Sequence, residues 1–365
     1  MTAQPATVMR GDAPGIISRN APKMQNPAGM PYRRAGTRSA EWMACSVVDM
    51  PQNYGKNAAC ANLTRINSLK VQYPLIFANF VIKTKQSRVE NKGPIRIDLQ
   101  QVLRDRLGRR SRFVPSFLVR WLQRLVCQEQ LNGLLEHNYP RRGADFCRGV
   151  LSDLDVSVEA EGACNLPETS HRRVLLVCNH PLGGLDGMAL IAWFSDYFGT
   201  QLQVVVNDLL MAVEPLSPCF VPVNKHGSQS RGTARSIDSA MASDAPVLMF
   251  PAGLVSRRGD DGVVADLSWN KMFLRKAVEY RRDVVPLHFD GHNSAGFYKA
   301  ARRRVRLGLR FNLEMLLLPR EVFASRGKRF TIRCGHPIAW QELGPATAAE
   351  AERIRKIVYE LASRH

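Results

Sequence analysis

The chain is 365 residues long with 45% hydrophobic residues, enough to bury a sizeable core in one large domain or two ordinary ones. Its formal charge of +19 and pI near 10.0 ask for an anionic partner, whether nucleic acid, phospholipid headgroups or an acidic carrier protein. Membrane spanning is excluded, because the longest apolar run, Pro74 to Ile82, is about half of the roughly 18 residues needed. The eight cysteines (Cys45, Cys60, Cys127, Cys147, Cys164, Cys178, Cys219 and Cys334) are scattered and include no C-x-x-C pair, so they read as reduced thiols of a cytosolic protein.

Residues 1–88 are rich in Pro, Gly, Asn and Arg, lack a hydrophobic period, and carry only Asp12, Glu41 and Asp49 as acids. This is the composition of a disordered or loosely ordered basic extension. It has neither the apolar core of a secretory signal nor the amphipathic helix of a transit peptide. Residues 89–155 form a helical subdomain, with Leu99, Val102, Leu103, Phe117, Leu118, Trp121, Leu122, Leu125, Leu131, Leu134 and Leu135 at three-to-four spacing. Pro115 and Pro140 divide it into about three helices. Arg104, Arg106, Arg109, Arg110, Arg112, Arg120 and Arg124 crowd the first two, as a solvated face or as a membrane-docking one.

Over residues 156–365 short apolar strands alternate with helices. The strands are expected at Val174 to Cys178, Leu202 to Val206, Phe220 to Val223, Val247 to Phe250, Val284 to Leu287 and Arg329 to Arg333. Helices are expected near Met188 to Phe194, Ala234 to Met241, Met272 to Tyr280 and Leu309 to Leu318, with a closing helix from Thr347 to Ala362 that Thr347 caps. The alternation predicts an α/β fold, an αβα sandwich with a mixed, largely parallel sheet.

The chemistry concentrates where the first buried strand ends. Asn179-His180-Pro181 is followed by the glycine pair Gly183-Gly184 and by Asp186 at a helix start. A glycine turn can fold the aspartate back onto the imidazole. The carboxylate would then fix the tautomer of one ring nitrogen and leave the other to take a proton. Taken alone, the two residues would equally serve as a strand-end and a helix cap.

The stretch from Asn179 to Gly187 resembles the first motif of the PlsC-like glycerolipid acyltransferase superfamily, and three further stretches fall in the family's order. Phe220-Val221-Pro222-Val223-Asn224-Lys225 is similar to the second block, Phe250-Pro251-Ala252-Gly253 to the third and Val285-Pro286-Leu287-His288 to the fourth. The wording is closest to the bacterial branch labelled hemolysin-like, which includes acyltransferases of ornithine lipids and of N-acyl glycine.

The resemblance implies acyl transfer from acyl carrier protein or coenzyme A to a small hydroxyl or amine acceptor: a lysophospholipid, a lyso-ornithine lipid or an amino acid such as glycine. His180 would be the general base and Asp186 its orienting partner. Asn179, Gly183, Gly184, Asn224, Lys225, Pro251, Ala252 and Gly253 would line the substrate site, and backbone N–H groups near Gly253 or Leu185 would face the oxyanion. No metal is expected, and no cofactor beyond the acyl-ACP or acyl-CoA co-substrate. The expected setting is cytoplasmic, on the anionic inner face of the membrane, with no nucleic acid bound.

Three departures bear on the acceptor. Five residues separate His180 from Asp186, one more than the family's usual spacing. The usual glutamate of the third block is Ala252, with Val255 in place of its arginine, and Asn224 stands where an arginine ends the second block. Lost charges cannot be replaced by alanine or valine without losing charge-assisted hydrogen bonds, which makes lysophosphatidate a less natural acceptor. Arg257 and Arg258 stand close enough to clamp a different anion, a carboxylate or a carrier's phosphopantetheine.

Weaker signals are a His-x3-His spacing at His288 and His292, His226 in a surface turn, and the charge run Arg302, Arg303 and Arg304. The rival from charge is a basic protein that binds nucleic acid or a membrane surface without catalysis, but no recognised nucleic-acid motif is present. An α/β-hydrolase would need a G-x-S-x-G elbow, which the sequence lacks.

Overall fold

The computed structural model describes residues 93–171, 173–207, 210–211, 213–223, 237–309 and 312–363. The expected extension over 1–88, together with Asn224, Lys225 and His226, lies outside the described residues, as does the side chain of Arg106.

The helical segment holds four α-helices. Asp98 caps α1 (Leu99–Leu107) by accepting from the N–H groups of Gln100 and Gln101. Pro115 precedes α2 (Ser116–Leu125), and the turn around Pro140 leads to α4 (Ala144–Asp153). Between them α3 (Gln128–His137) starts after Cys127, which adopts a left-handed φ of 52°. That break contains neither proline nor glycine, so hydrophobic spacing alone ran α2 and α3 together.

The chain continues through β1 (Ser157–Glu161), β2 (Val174–Cys178), α5 (Leu185–Phe198), β3 (Gln203–Asn207), β4 (Phe220–Val223), α6 (Ile237–Ala242) and β5 (Val247–Met249). A short hairpin of β6 (Arg257–Arg258) and β7 (Val264–Ala265) precedes α7 (Met272–Glu279), β8 (Asp283–Asp290), α8 (Ala295–Arg306), α9 (Leu318–Phe323), β9 (Arg329–Cys334) and α10 (Ala348–Glu360).

Seven strands form one sheet in the order β1-β9-β8-β2-β5-β3-β4, and only the β8–β9 pair is antiparallel. β2 sits centrally between β8 and β5, parallel to both, and every one of its residues is buried. Its side chains divide by alternation. Leu176 and Cys178 join the core under α4 and α5, while Leu175 and Val177 join the core under α6, α7 and α10. A strand covered on both faces needs apolar residues throughout, which is why Val174 to Cys178 reads as a continuous hydrophobic run. The architecture is the expected αβα sandwich with a mixed, mostly parallel sheet.

Two segments depart from expectation. The edge strand β1 reads Ser-Val-Glu-Ala-Glu and is half exposed, so it carries no apolar run to mark it. The helix expected over Leu309 to Leu318 lies earlier, as α8; the chain turns at Gly308 (φ 63°), and Leu313–Leu317 form a 3-10 turn leading into α9. Pro319 belongs in the first turn of α9, where its missing N–H costs nothing. Arg282, wholly buried before β8, fastens that strand to α6, the loop after it and the start of β2 by donating to the carbonyls of Ala240, Met241, Ser243, Ala245 and Val174.

Candidate active site

The carboxyl ends of parallel strands collect loop residues at one edge of an open sheet. Here β2 delivers Asn179, His180 and the glycine turn, β5 delivers Phe250 to Gly253, and β8 delivers Asp290 to Asn293. Asn179 works as an extension of the sheet: its amide donates to the Phe289 carbonyl at 3.0 Å and accepts from the Phe289 N–H at 2.7 Å. That clamp carries the geometry of β2 one residue further and fixes where His180 emerges.

His180 Nδ1 lies 3.0 Å from Asp186 Oδ2. The same oxygen accepts the backbone N–H groups of Leu182 at 2.9 Å and Gly183 at 3.2 Å, while Oδ1 accepts that of Gly187 at 2.9 Å. The longer His-to-Asp spacing is accommodated in the turn, where Gly183 adopts a φ of 79°. A Cβ at Gly183 would also fall 2.4 Å from Val255 Cγ2, so the turn needs glycine for space as well as for conformation.

Burial alone would depress the His180 imidazolium, but the Asp186 carboxylate, and behind it Asp266, hold its pKa above the usual histidine value. Burial would likewise raise Asp186, yet the charge and hydrogen bond of His180 and the backbone N–H groups bring it below the usual carboxylate range. Asp186 is fully buried and the His180 side chain is 17% exposed, so a charge carrier in the core supports an imidazole that still reaches the surface. The ring packs against Phe250 at a tilt of 30°, with centroids 4.1 Å apart.

The strap from Phe250 to Arg258 lies along this turn, its Ser256 N–H donating to the His180 carbonyl at 2.8 Å. Gly253 (φ 64°) closes a turn by donating its N–H to the Phe250 carbonyl, so that N–H is committed and does not face a substrate. Ala252 packs on the core of α7 and α10, and the Pro251 carbonyl accepts from Asn270.

Arg257 and Arg258 do not converge into a clamp. Arg257 donates to Glu314 Oε1 at 2.9 Å and lies over the Phe297 ring, with Arg304 on the other oxygen of the same fully buried glutamate. Arg258 is exposed, lies over Tyr298, and lines a cavity of about 380 Å³ with Asn179, Pro181, Ser256, His288 and Tyr359. His292 lines the same cavity, but His288 sits within β8, so the His-x3-His spacing is not a helical one.

Asp266 was not among the expected residues. Its Oδ1 accepts the His180 N–H at 3.1 Å and the Ser256 hydroxyl at 2.6 Å, and its Oδ2 accepts the Trp269 indole at 2.9 Å. Its own N–H donates to the Tyr359 hydroxyl at 2.7 Å. The available signal was the pair Asp266 and Trp269 in an otherwise short loop, since a buried indole N–H needs an acceptor nearby.

A profile of the family described as Acyltransferase matches residues 101–364 and takes in the helices as well as the sheet. A lyso-glycine lipid O-acyltransferase of Phocaeicola vulgatus is 41% identical over 267 residues, covering 73% of this chain and 95% of that protein. A lyso-glycine lipid O-acyltransferase of Bacteroides thetaiotaomicron is 39% identical over 267 residues, covering 73% of this chain and 97% of its own. The 1-acyl-sn-glycerophosphate acyltransferase PlsC of Thermotoga maritima covers 68% of this chain and 94% of its own at 16% identity and a TM-score of 0.35, too distant to add to the assignment. The chain belongs to the acyltransferase family and is an acyltransferase of lipid biosynthesis, not a binding protein without catalysis.

Proposed function

We propose that the enzyme moves a fatty acyl chain from a thioester of acyl carrier protein or coenzyme A to the hydroxyl of a lyso-lipid of the glycine-lipid class. The acceptor class rests on the two relatives near 40% identity, 41% and 39%, whose names carry that substrate and whose lengths this chain almost fully covers. It accords with the loss of charged groups at Ala252 and Val255, which leaves nothing there for a glycerol phosphate.

The observation that carries the mechanism is the His180–Asp186 contact of 3.0 Å at the end of β2. With Nδ1 held by Asp186, Nε2 is the nitrogen left to meet the acceptor. As the acceptor oxygen attacks the thioester carbonyl, Nε2 takes its proton. The C–S bond then breaks, the ester remains on the acceptor, and the departing sulfur carries away the proton from the imidazolium. No covalent acyl-enzyme is required, and positioning of the two substrates supplies the rest. The reaction is placed at an anionic membrane surface on the cytoplasmic side, in keeping with a charge of +19 and with described helices none of which is long and apolar enough to cross a bilayer.

The test is purified full-length chain with an acyl thioester and an N-(hydroxyacyl)glycine acceptor, the diacylated product being read by mass spectrometry. Product that His180→Ala abolishes, with the variant still folded, supports the reading. Product from lysophosphatidate alone overturns the acceptor, and undiminished turnover by His180→Ala overturns the base.

A further inference from the structure

The helix α8 turns Phe297, Tyr298 and Ala301 into the protein and leaves its opposite face uncovered. On that face stand Lys299, Arg302, Arg303 and Arg306, all exposed. Their three- and four-residue spacing lines them up as one stripe about 10 Å long. Of the α8 cations only Arg304 makes an ion pair among the described residues, with the buried Glu314. No acidic residue occurs in the sequence between Asp290 and Glu314. Arg302 donates to the Gly259 carbonyl of the β6–β7 hairpin, yet Asp260 and Asp261 in the same loop pair with none of the stripe among the described residues. Like charges at this spacing repel one another, and the negative end of the helix offsets that only for Arg303 and Arg306, which lie in its last turn. A stripe that weakens its own helix calls for a partner of the opposite sign.

The root of α8 is fixed to the reactive turn. Just before the helix, the Asn293 amide donates at 3.1 Å to the carbonyl of Pro181, the residue after His180. Phe297 and Tyr298 pack with Val255 of the strap. From there the 12 residues of α8 extend about 18 Å, so each cation of the stripe lies within that length, measured along the helix, of the turn that holds His180. An extended phosphopantetheine arm spans such a length.

We infer that this face of α8 docks an acidic acyl carrier protein, whose phosphopantetheine arm brings the thioester to His180. The docking rests on the proposed acyl transfer and selects the carrier protein over coenzyme A as donor. Coenzyme A gathers its phosphates at one end of a small molecule, which two or three cations suffice to hold, whereas a row of four matches the acidic face of a protein. A bilayer is matched less well. Beside the stripe Val305 and Leu307 are 64% and 72% exposed, but both aromatic residues of α8 are buried, and a helix lying in a membrane needs a continuous apolar face. A small apolar contact beside charge of one sign suits a transient complex formed under electrostatic steering.

The experiment measures transfer by the full chain to an N-(hydroxyacyl)glycine from palmitoyl thioesters of a bacterial acyl carrier protein, of coenzyme A and of pantetheine alone. Arg303→Glu/Arg306→Glu reverses two exposed charges and is expected to lower kcat/KM with the carrier protein by about tenfold to a hundredfold at low salt, with pantetheine as donor unaffected. Raised salt is expected to slow the parent with the carrier protein and to narrow its lead over the variant. Arg303→Gln/Arg306→Gln puts no negative charge at the helix C-terminus and is expected to show a smaller loss confined to the same donor. An undiminished rate with the carrier protein, equal losses with carrier protein and pantetheine, or a loss as large with coenzyme A overturns the inference. So does a reversal variant that loses phosphatidylglycerol vesicles while keeping its carrier-protein turnover. Capture of the carrier protein by the immobilised chain is read in parallel. If no donor yields product with any acceptor, the proposed reaction fails; capture that the reversal abolishes then leaves the docking face standing, and capture that it leaves unchanged overturns that as well.

Discussion

The backbone N–H of His180 donates to Asp266 Oδ1 at 3.1 Å, and that carboxylate holds Ser256 and Trp269 as well. One buried side chain therefore joins the end of β2, the strap after β5 and the loop before α7. Asparagine at this position offers a single acceptor oxygen and brings two N–H groups, so at least one of the three donors loses its partner. Asp266→Asn is expected to cost about 1–3 kcal/mol in urea unfolding. It also removes a charge that favours the His180 imidazolium, so the acid limb of the kcat–pH profile moves to lower pH while KM changes little. A stability loss with an unmoved limb would leave Asp266 a structural residue only.

Asp186→Asn is expected to move the same limb further. Asp186 touches the ring directly and outranks Asp266 among the charges raising His180. The proposed base works unprotonated, so under that proposal a lower imidazolium pKa extends activity downward in pH even as the plateau falls by about a hundredfold to ten-thousandfold. The sign for stability is the reverse of that for activity. The ion pair stabilises the fold fully below the unfolded histidine pKa of about 6.5 and loses its contribution as pH rises through the raised folded value. Measured profiles in which Asp266→Asn shifts the limb more than Asp186→Asn would contradict this ranking.

The parts of this site that were legible in the sequence are those coded locally. The run Val174 to Cys178 announces a strand buried on two faces, and His180, the glycine pair and Asp186 lie within seven consecutive positions, so one turn suffices to bring them together. What stayed hidden depends on distant segments. Asp266 meets His180 across 86 residues, and Glu314 captures Arg257 across 57, which no spacing rule anticipates. Arg257 and Arg258 look alike in sequence, yet neighbours on an extended strand point to opposite sides. One is spent on a buried glutamate and its neighbour faces the surface.

Gly183→Ala tests the turn that carries the extra residue. The substitution meets both a φ of 79° and a contact of 2.4 Å with Val255 Cγ2. It is expected to destabilise the chain by about 2–3 kcal/mol and to reduce activity disproportionately, because the Gly183 N–H that supports Asp186 moves with the backbone. Adding Val255→Ala removes the 2.4 Å contact but neither the conformational strain nor the 3.1 Å approach to Leu318, so the double variant should regain part of the activity and not all of it. Complete recovery in melting temperature and turnover would show that neither φ at this position nor the Leu318 contact carries a cost.

His288 is expected to shape acid stability. Burial beside Tyr359 pushes its pKa down to about 4, against the partial opposition of Asp290 and with the help of Arg333, and its Nδ1 has no hydrogen-bond partner among the described residues. In the unfolded chain the same histidine takes up a proton near pH 6.5, about 2.5 units earlier. Between those values the unfolded state binds more protons than the folded one, so stability rises with pH and falls as the solution is acidified. At about pH 5 the difference amounts to about 2 kcal/mol from this residue alone. Other groups titrate over the same range, so the measurement is a comparison of urea unfolding at about pH 7 and about pH 5 in the parent and in His288→Gln. The glutamine cannot charge, and its acid loss should be smaller than the parent's by that amount. Equal losses in the two proteins would mean that His288 is protonated in the folded state at about pH 5.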